Sequence, residues 1–473
     1  MAAVTNKIAS PAQLYKSCRR CYNDNLIKNS FGLDGPMVIP EWRRYKVMNN
    51  TQLSAKGATE VFEEHESAVR SYCRKYPVVF SRAKNAELFD VDGKRYIDFL
   101  AVAGSMNYGH NNPEIKAKIL EYLADDAPIN MLDMFTEAKA EFLRTFNDKI
   151  LKPRNLDYKV MCCGPTGTNA VEAALKLARK NTGKSGIFAY SGAFHGMTLG
   201  ALACTTDKVS REGASVPLTF VSHIPYEGAV GVDSLGYLKW VLTDDHSGYE
   251  RPAAIILETI QAEGGINVAS VEWLQEVRRI CTKYGILMIV DDIQVGNGRT
   301  GDFFSFERAG IVPDMVVLSK SISGFGMPMA LLLIKPELDI FRPAEHNGTF
   351  RGNQLSFVGG TAGVNYFVDH HIDEEVRRKA VIIEDYMKEK ILPIDPKLSY
   401  RGLGFIWGID FNPINPKFAL EAVHRCFDRG LILEVAGSRD GVLKLMPPLT
   451  IPDDVLLEGL DIIEEVVKEI IAE

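Results

Sequence analysis

The sequence contains no uninterrupted apolar run that approaches the roughly 20 residues needed to span a lipid bilayer. Its N-terminal stretch, MAAVTNKIASPAQLYKSCRRCYNDN, lacks the apolar core and small-residue cleavage site of a secretory signal. We therefore expect a cytoplasmic protein without a membrane segment.

An excess of basic residues is also missing. The 54 Lys and Arg residues are outnumbered by 61 Asp and Glu residues, and the net charge is −7. A general nucleic-acid-binding protein carries a basic surface, so this class is disfavoured. The composition is 46% hydrophobic and 24% charged, which argues against extensive disorder, collagen and coiled coil.

Cysteine is scarce, since eight residues in a chain of 473 are too few for a disulfide framework. Cys18 and Cys21 form a CxxC pair, but no second pair lies nearby to complete the four ligands of a zinc site. Cys162 and Cys163 end an apolar stretch, where buried, unreactive thiols are expected. We predict no metal site.

The hydrophobic pattern divides the chain into four parts. Residues 1–60 are irregular and predict an N-terminal extension, which either packs on a partner subunit or stays partly loose. We expect residues 61–110 and 371–473 to form a smaller α+β domain, and residues 111–370 to form a large domain. A helical pattern at Glu63–Tyr76 precedes three β-like runs, at Val78–Ser81, Ala86–Asp90 and Arg95–Phe99.

In the large domain, helical segments alternate with short apolar runs. Ala253–Leu257, Ile286–Val290 and Met315–Leu318 are typical of strands buried on both faces of a parallel sheet. Val271–Tyr284 has helical periodicity between two of them. The C-terminal part predicts a helix at Asp373–Ile391, a strand at FIWGIDF and a helix at Asp453–Ile471.

Polar residues follow these strands, where open parallel sheets bind their ligands. Lys320 follows a buried strand, and apolar surroundings lower the pKa of a lysine so that its neutral amine can attack a carbonyl. Asp291 ends the preceding strand, and a carboxylate beside a pyridinium nitrogen keeps a pyridoxal cofactor an electron sink. Together they indicate pyridoxal chemistry.

A third feature is the Gly-rich turn Gly164–Asn169, which lies between an apolar strand and a helix. The free N–H groups and positive dipole of a helix N-terminus suit a phosphate. An ordinary capped helix, with Thr168 or Asn169 as N-cap, explains the same residues. No GK[ST] follows the glycines, so a nucleotide-hydrolysing loop is disfavoured.

Two motifs resemble those of a known family. Asp291–Gly301 (DDIQVGNGRTG) and Ser319–Gly324 (SKSISG), in which Lys320 follows Asp291 by 29 residues, resemble motifs of the pyridoxal-phosphate-dependent aminotransferases of fold type I, class III. The resemblance covers residues 62–470. It implies an α/β fold, with a large, mostly parallel-sheet domain and a smaller α+β domain, and pyridoxal 5'-phosphate as cofactor.

The resemblance also implies residue roles. Lys320 would form the internal aldimine and move a proton, and Asp291 would pair with the ring nitrogen. The remaining cofactor contacts would come from Gly167 and Thr168 at the phosphate, Phe194 stacked on the pyridine ring, Gln294 near the phenolic oxygen, and Thr349 at the phosphate of a neighbouring subunit. The last of these implies a homodimer with shared active sites. Glu263 would lie near the substrate side of the cofactor ring.

Two residues depart from the family pattern. Lys444 stands where the family has an arginine that binds a substrate carboxylate and pairs with the glutamate after the second strand. Lysine lacks the planar fork of arginine. Arg351 stands where many relatives carry glycine. It either supplies the missing guanidinium or lies at a surface or interface. We include Glu263, Arg351 and Lys444 as predicted substrate-binding residues.

Four further segments resemble the branch of this family that acts on 2,4-diaminobutyrate: Glu66–Cys73, Asn107–Pro113, Gly164–Glu172 and His346–Asn353. The resemblance implies amino transfer between glutamate or 2-oxoglutarate and the terminal aldehyde of a short amino acid, such as aspartate semialdehyde, through pyridoxamine phosphate. The alternative is elimination, replacement or carbon–carbon bond formation on the same fold. A non-catalytic binding protein is disfavoured, because both Lys320 and Asp291 are present.

Overall fold

The computed structural model describes residues 59–473. The predicted N-terminal extension and the Cys18–Cys21 pair therefore lie outside the described residues, apart from the last two positions of the extension. Within the described part of the chain, no helix is both long enough and apolar enough to cross a membrane.

Within residues 59–473, the strands form two four-stranded sheets, a seven-stranded sheet and a two-stranded ribbon. In chain order they are β1 Phe80–Lys84, β2 Glu87–Asp90, β3 Arg95–Asp98, β4 Lys159–Gly164, β5 Ile187–Tyr190, β6 Val221–Ile224, β7 Ala254–Leu257, β8 Ile260–Gln261, β9 Asn267–Val268, β10 Leu287–Asp291, β11 Met315–Leu318, β12 Ala330–Ile334, β13 Ser399–Leu403, β14 Ile406–Asp410, β15 Leu431–Ile432, β16 Glu434–Ala436 and β17 Val442–Leu445.

The α-helices cover these sheets and connect their strands. They are α1 Glu60–His65, α2 Tyr72–Lys75, α3 Pro113–Ala124, α4 Glu137–Phe146, α5 Gly167–Thr182, α6 Leu199–Cys204, α7 Lys208–Glu212, α8 Ser234–Thr243, α9 Val271–Tyr284, α10 Gln354–Asp369, α11 Ile372–Tyr386, α12 Lys417–Asp428 and α13 Asp453–Ala472. Short π-helical segments at Asn147–Leu151 and Met387–Ile391 continue α4 and α11.

The seven-stranded sheet has the order β4-β12-β11-β10-β7-β5-β6. All neighbours from β11 to β6 are parallel, and β12 runs antiparallel to both β11 and β4. Every residue of β5, β7, β11 and β12 is buried, as expected for strands covered on both faces. The predicted mostly parallel sheet, its strands near residues 255, 288 and 316 and the helix Val271–Tyr284 are confirmed.

Register brings the ends of two of these strands together. Asp291 at the end of β10 is paired with Val317 of β11, three residues before Lys320. Because parallel strands end at the same edge of a sheet, the carboxylate and the lysine emerge side by side.

The N- and C-terminal segments share a sheet. β15, from the C-terminal segment, pairs with β3 in parallel, with Leu431 opposite Ile97. The other four-stranded sheet, in the order β13-β14-β17-β16, comes entirely from the C-terminal segment. These pairings accord with a small domain built from both segments, although the domain boundaries remain a prediction.

The helix predicted at Glu63–Tyr76 is wrong as a single element, because the structure has two short helices, α1 and α2, separated by an irregular stretch. Neither helix buries a residue, so no apolar face stabilises a continuous helix. Arg70 and Arg74 donate instead to the backbone carbonyls of Ser67 and Ala68. The first β-like run also begins two residues later than predicted, at Phe80.

Candidate active site

A cavity of about 460 Å³ opens at the carboxyl ends of the parallel strands, within the size range of small-molecule sites. Seven of the predicted site residues line it: Gly167, Thr168, Phe194, Glu263, Asp291, Gln294 and Lys320. The sheet thus brings together residues that are spread over more than 150 positions of the sequence.

Lys320 begins a short 3-10 helix directly after β11, with a φ of 52° in the left-handed region. This conformation is unfavourable for a residue with a Cβ atom and persists only where the surroundings hold it. The Oγ of Ser319 donates to the carbonyl of Met329 (2.7 Å), and the Oγ of Ser321 donates to that of Gly104 (2.7 Å), so both neighbours of the lysine are anchored.

The Lys320 amine is half-buried and has no hydrogen-bond acceptor among the residues that the structure describes. Burial lowers the pKa of Lys320 to about 8, and the positive charge of Lys444 adds to this effect, while Glu263 and Asp291 oppose it. A far larger fraction of this amine than of an ordinary lysine is therefore neutral and nucleophilic near neutral pH.

Asp291 is held by a histidine that sequence reasoning did not single out. Nδ1 of His195 lies 2.7 Å from Oδ2 of Asp291, and the N–H of Ile293 donates to Oδ1 (3.1 Å). Burial lowers the pKa of His195, but the hydrogen bond and charge of Asp291 outweigh it and raise the pKa overall. The pair fixes the carboxylate in the cavity wall. Because 96 positions separate the two residues, the position of His195 after Phe194 was its only sequence signal.

Glu258, which follows β7, is a second residue that sequence reasoning did not assign a role. Its Oε1 accepts the backbone N–H of Phe194 (3.1 Å), which holds the aromatic residue at the cavity. Burial raises the pKa of Glu258 to about 7, and the negative charge of Asp291 adds to this while His195 opposes it.

The first residues of α5 form one end of the cavity. The N-cap is Thr166, so the expectation of an N-cap at Thr168 or Asn169 is wrong. Asn169 instead stabilises the N-cap residue: its Oδ1 accepts hydrogen bonds from the N–H and the hydroxyl of Thr166 (3.2 and 2.9 Å). The N–H groups at Gly167 and Thr168 have no partner within their own helix and suit an anion.

Glycine is required at two positions of this cradle. A Cβ atom at Gly167 would lie 2.6 Å from a methyl group of Ile293. Gly196 has a φ of +122°, and a Cβ atom there would lie 2.5 Å from the hydroxyl of Thr168. Glycine at these two positions therefore lets the start of α5 and the Gly196 loop pack closely against Ile293 and Thr168. An anion cradle, a buried carboxylate, an aromatic ring and a free amine in one cavity fit a phosphorylated pyridine aldehyde.

Lys444 lies behind this cavity rather than in its lining, with its side chain 1% exposed. Its Nζ donates to Oε1 of Glu263 (2.6 Å), to Oε1 of Gln294 (3.3 Å) and to Oε2 of Glu434 (3.5 Å). Burial lowers the pKa of Lys444, but the two carboxylates outweigh it and raise the pKa overall. Glu434, opposite Lys444 on β16, was not singled out from the sequence.

A strained turn supports Gln294. Ala101, Val102 and Ala103 all have φ between 47° and 53°, which forms a left-handed turn of non-glycine residues. The carbonyl of Ala103 accepts from Nε2 of Gln294 (3.0 Å). Strain of this kind concentrates at functional sites.

Thr349 and Arg351 do not line this cavity in the single chain. Both line a neighbouring cavity of about 260 Å³, and Thr349 is exposed. Nη1 of Arg351 donates to the carbonyl of His346, while its buried Nε has no partner among the described residues. Whether Thr349 serves a neighbouring subunit remains a prediction.

Comparisons with known proteins assign the family. A family model described as aminotransferase class-III matches residues 69–467. The chain is 51% identical over 414 residues to a diaminobutyrate–2-oxoglutarate transaminase of Halalkalibacterium halodurans. This alignment covers 87% of this chain and 96% of the relative. A protein of the same name from Sporosarcina pasteurii is 50% identical over 419 residues, covering 88% and 98%.

Solved structures share the fold. The ornithine aminotransferase of Toxoplasma gondii ME49 superimposes with a TM-score of 0.77 at 23% identity, over 92% of this chain and 98% of that one. A taurine:2-oxoglutarate aminotransferase of Bifidobacterium kashiwanohense, solved with PLP and glutamate, has a TM-score of 0.78 at 24% identity, over 90% and 100%. The chain belongs to the class III aminotransferases and is a pyridoxal-phosphate-dependent transaminase.

Proposed function

We propose that this protein transfers an amino group between 2,4-diaminobutyrate and 2-oxoglutarate, which yields aspartate semialdehyde and glutamate. The substrate assignment is supported by relatives at 51% and 50% identity, both named diaminobutyrate–2-oxoglutarate transaminase and matched over nearly their whole length. The observation that carries the chemistry is the half-buried Lys320 amine, with its lowered pKa, in the same cavity as Asp291.

The cavity residues divide into two groups for holding the cofactor. Gly167 and Thr168, at the N-terminus of α5, would hold the phosphate. Asp291, oriented by His195, would pair with the ring nitrogen, and Phe194 would contact the ring. When bound, pyridoxal phosphate supplies an electron sink that stabilises negative charge at the substrate carbon.

Lys320 performs the proton transfer. With a pKa of about 8, its Nζ is able both to accept a proton from the substrate carbon that bears the reacting amino group and to return it. The anchored backbone on both sides of the lysine keeps the amine in position for this exchange. The hydrogen bond to the carbonyl of Ala103 holds Gln294 at the cavity wall, where it would contact the phenolic oxygen of the cofactor.

We further infer a homodimer, in which Thr349 contacts the phosphate in the neighbouring subunit. An exposed apolar patch supports this inference: Ile129, Leu132, Met134, Phe135 and Phe350 are 44–101% exposed. Hydrogen bonds between the backbones near residues 130 and 353 join the two segments that carry the patch. Patches of this kind mark protein interfaces. The cytoplasmic location remains a prediction from the sequence.

The dimer is tested by sedimentation of the wild type and of Phe135→Asp. We expect a dimer for the wild type and a shift towards monomer for the variant, which places a charge in the patch. A monomeric wild type contradicts the inference.

Absorbance of the cofactor tests the proposed reaction. Addition of 2,4-diaminobutyrate to the purified holoenzyme should convert the pyridoxal spectrum to that of pyridoxamine phosphate, and 2-oxoglutarate should reverse the change with formation of glutamate. Release of free ammonia without this conversion would instead identify an elimination reaction.

A further inference from the structure

Lys444 has no hydrogen-bond donor left for a substrate. A lysine ammonium carries three N–H donors, and the three acceptors around its Nζ are Glu263, Gln294 and Glu434. With the side chain 1% exposed, a substrate carboxylate has no path to it without displacing Glu263. This geometry does not favour the role of carboxylate binder that was predicted for Lys444.

The group that faces the cavity at this point is the carboxylate of Glu263. Its side chain is 32% exposed, against 6% for the side chain of Asp291, and Glu258 is 7% exposed as a residue. Of the three carboxylates that line the cavity, Glu263 is therefore the most accessible. The hydrogen bond from Lys444 uses Oε1 of Glu263.

The local charge favours a cationic ligand. Within the hydrogen-bonded cluster of Lys444, Glu263 and Glu434, two negative charges surround one positive charge, which leaves this cluster one net negative charge. Burial acts to raise the pKa of Glu263, but the charges of Lys444 and Lys320 outweigh it and lower the pKa to about 2. Among the described residues that line the cavity, Lys320 is the only lysine or arginine.

We propose that Glu263 binds the second, non-reacting ammonium group of a diamino acid substrate, and that the hydrogen bond from Lys444 positions Glu263 for this contact. The inference rests on the proposed function and deepens it. A diamino acid presents one amine for transfer and a second as a fixed cation. A monoamine substrate lacks the second cation and gains nothing from this carboxylate.

Two substrates that differ by this single group provide the test. 2,4-Diaminobutyrate carries an ammonium on the α-carbon, where 4-aminobutyrate carries hydrogen. We expect the wild type to have a higher kcat/KM for 2,4-diaminobutyrate than for 4-aminobutyrate. In Glu263→Gln, the ratio of the first kcat/KM to the second should fall by about 10- to 100-fold, which corresponds to the loss of one charge-assisted hydrogen bond. The loss should arise mainly from a raised KM for 2,4-diaminobutyrate. Turnover of 4-aminobutyrate in the same variant reports whether the site is folded.

Glu434→Gln is the matched control. It makes the same carboxylate-to-amide change beside the same lysine, but Glu434 is buried and does not line the cavity. We expect its effect to be similar for both substrates, so that the ratio stays within about twofold of the wild type. The contact of Glu434 with Lys444 is the longest of the three (3.5 Å), and the 2.6 Å hydrogen bond that positions Glu263 remains in this variant.

Equilibrium binding provides a readout that is independent of turnover. 2,4-Diaminobutyrate is titrated into two cofactor-loaded variants, Lys320→Ala and Lys320→Ala/Glu263→Gln, and binding is measured by calorimetry. We expect the Kd of the double variant to be about tenfold or more higher than that of Lys320→Ala. No such difference should appear with 4-aminobutyrate.

The possible outcomes separate the two proposals. A ratio that Glu263→Gln leaves unchanged, or that Glu434→Gln lowers equally, overturns this inference while the proposed function stands. A wild type that does not react with 2,4-diaminobutyrate overturns both. A ratio that falls in Glu263→Gln alone, together with the weaker binding, supports the inference.

Discussion

Two lysines, Lys320 and Lys444, act on the same carboxylate and behave in opposite ways. Lys320 and Lys444 both lower the pKa of Glu263, and burial lowers the pKa of each lysine. For Lys320 burial prevails, and the pKa falls to about 8. For Lys444 the neighbouring carboxylates prevail, and the pKa rises.

The difference lies in the acceptors. Nζ of Lys444 has three oxygen acceptors within 3.5 Å, whereas Nζ of Lys320 has none among the described residues. Burial without partners produces a reactive amine, and burial with partners produces a fixed cation. One lysine is therefore suited to chemistry and the other to structure.

Replacement of Lys320 should have the largest effect. We expect Lys320→Ala to abolish transamination and covalent attachment of the cofactor, because no other amine lines the cavity within the described residues. Mass spectrometry after borohydride reduction measures the attachment. Lys444→Arg is the comparison, and we expect it to retain the attached cofactor. Attachment that persists in Lys320→Ala would contradict the contrast between the two lysines.

Asp291→Asn should have the next largest effect. The amide cannot supply the negative charge that keeps the ring nitrogen protonated, and it weakens the ion pair with His195. We expect the rate of proton abstraction to fall by about 10²- to 10⁴-fold. Single-turnover kinetics with 2,4-diaminobutyrate deuterated at C4, the carbon that bears the reacting amino group, measure this step. A rate close to that of the wild type would disprove the assigned role.

The structural lysine is tested by stability. Lys444→Met leaves Glu263 and Glu434 without their shared cation, and breaking a buried pair in this way costs about 3–5 kcal/mol in the free energy of unfolding. Urea denaturation measures the loss. Lys444→Met/Glu434→Gln removes one stranded charge and should recover part of it. Equal stabilities for wild type and Lys444→Met would show that the cluster is not a structural ion pair.

The smallest expected effect is a shift in pH dependence. Only the neutral form of Lys320 would attack the cofactor aldehyde, so the rate of attachment to the apoprotein should rise with pH, with a midpoint at about 8. Because the charge of Glu263 raises the pKa of Lys320, Glu263→Gln should move the midpoint to lower pH. Stopped-flow absorbance at a series of pH values measures both midpoints. A midpoint near the ordinary lysine value of about 10.4 would contradict the lowered pKa.

Local patterns in the sequence predicted much of the fold. Val271–Tyr284 has helical spacing, begins after Ser270 and ends before Gly285, and these caps are present in the structure. Buried strands such as Ala254–Leu257 were visible as short apolar runs. Helix continuity at Glu63–Tyr76 was predicted wrongly, because its pattern has no buried partner to pack against.

Local patterns also indicated some residues of the candidate site and missed others. Lys320 and Asp291 were recognisable because they follow apolar strands, and Gly167 and Thr168 because they begin a helix after a turn. His195 and Glu434 were not recognisable, since their importance comes from partners 96 and 10 positions away that only the folded chain brings into contact.

Residue order by itself determined which segments form helices and strands, and which polar groups stand at the strand ends, because spacing and strand direction are local properties of the chain. Tertiary structure alone decided which of two lysines is reactive, since the pKa of a buried amine depends on the oxygens packed around it. Those oxygens belong to residues such as Glu263 and Glu434, whose contacts with Lys444 arise only when separate strands and loops pack together.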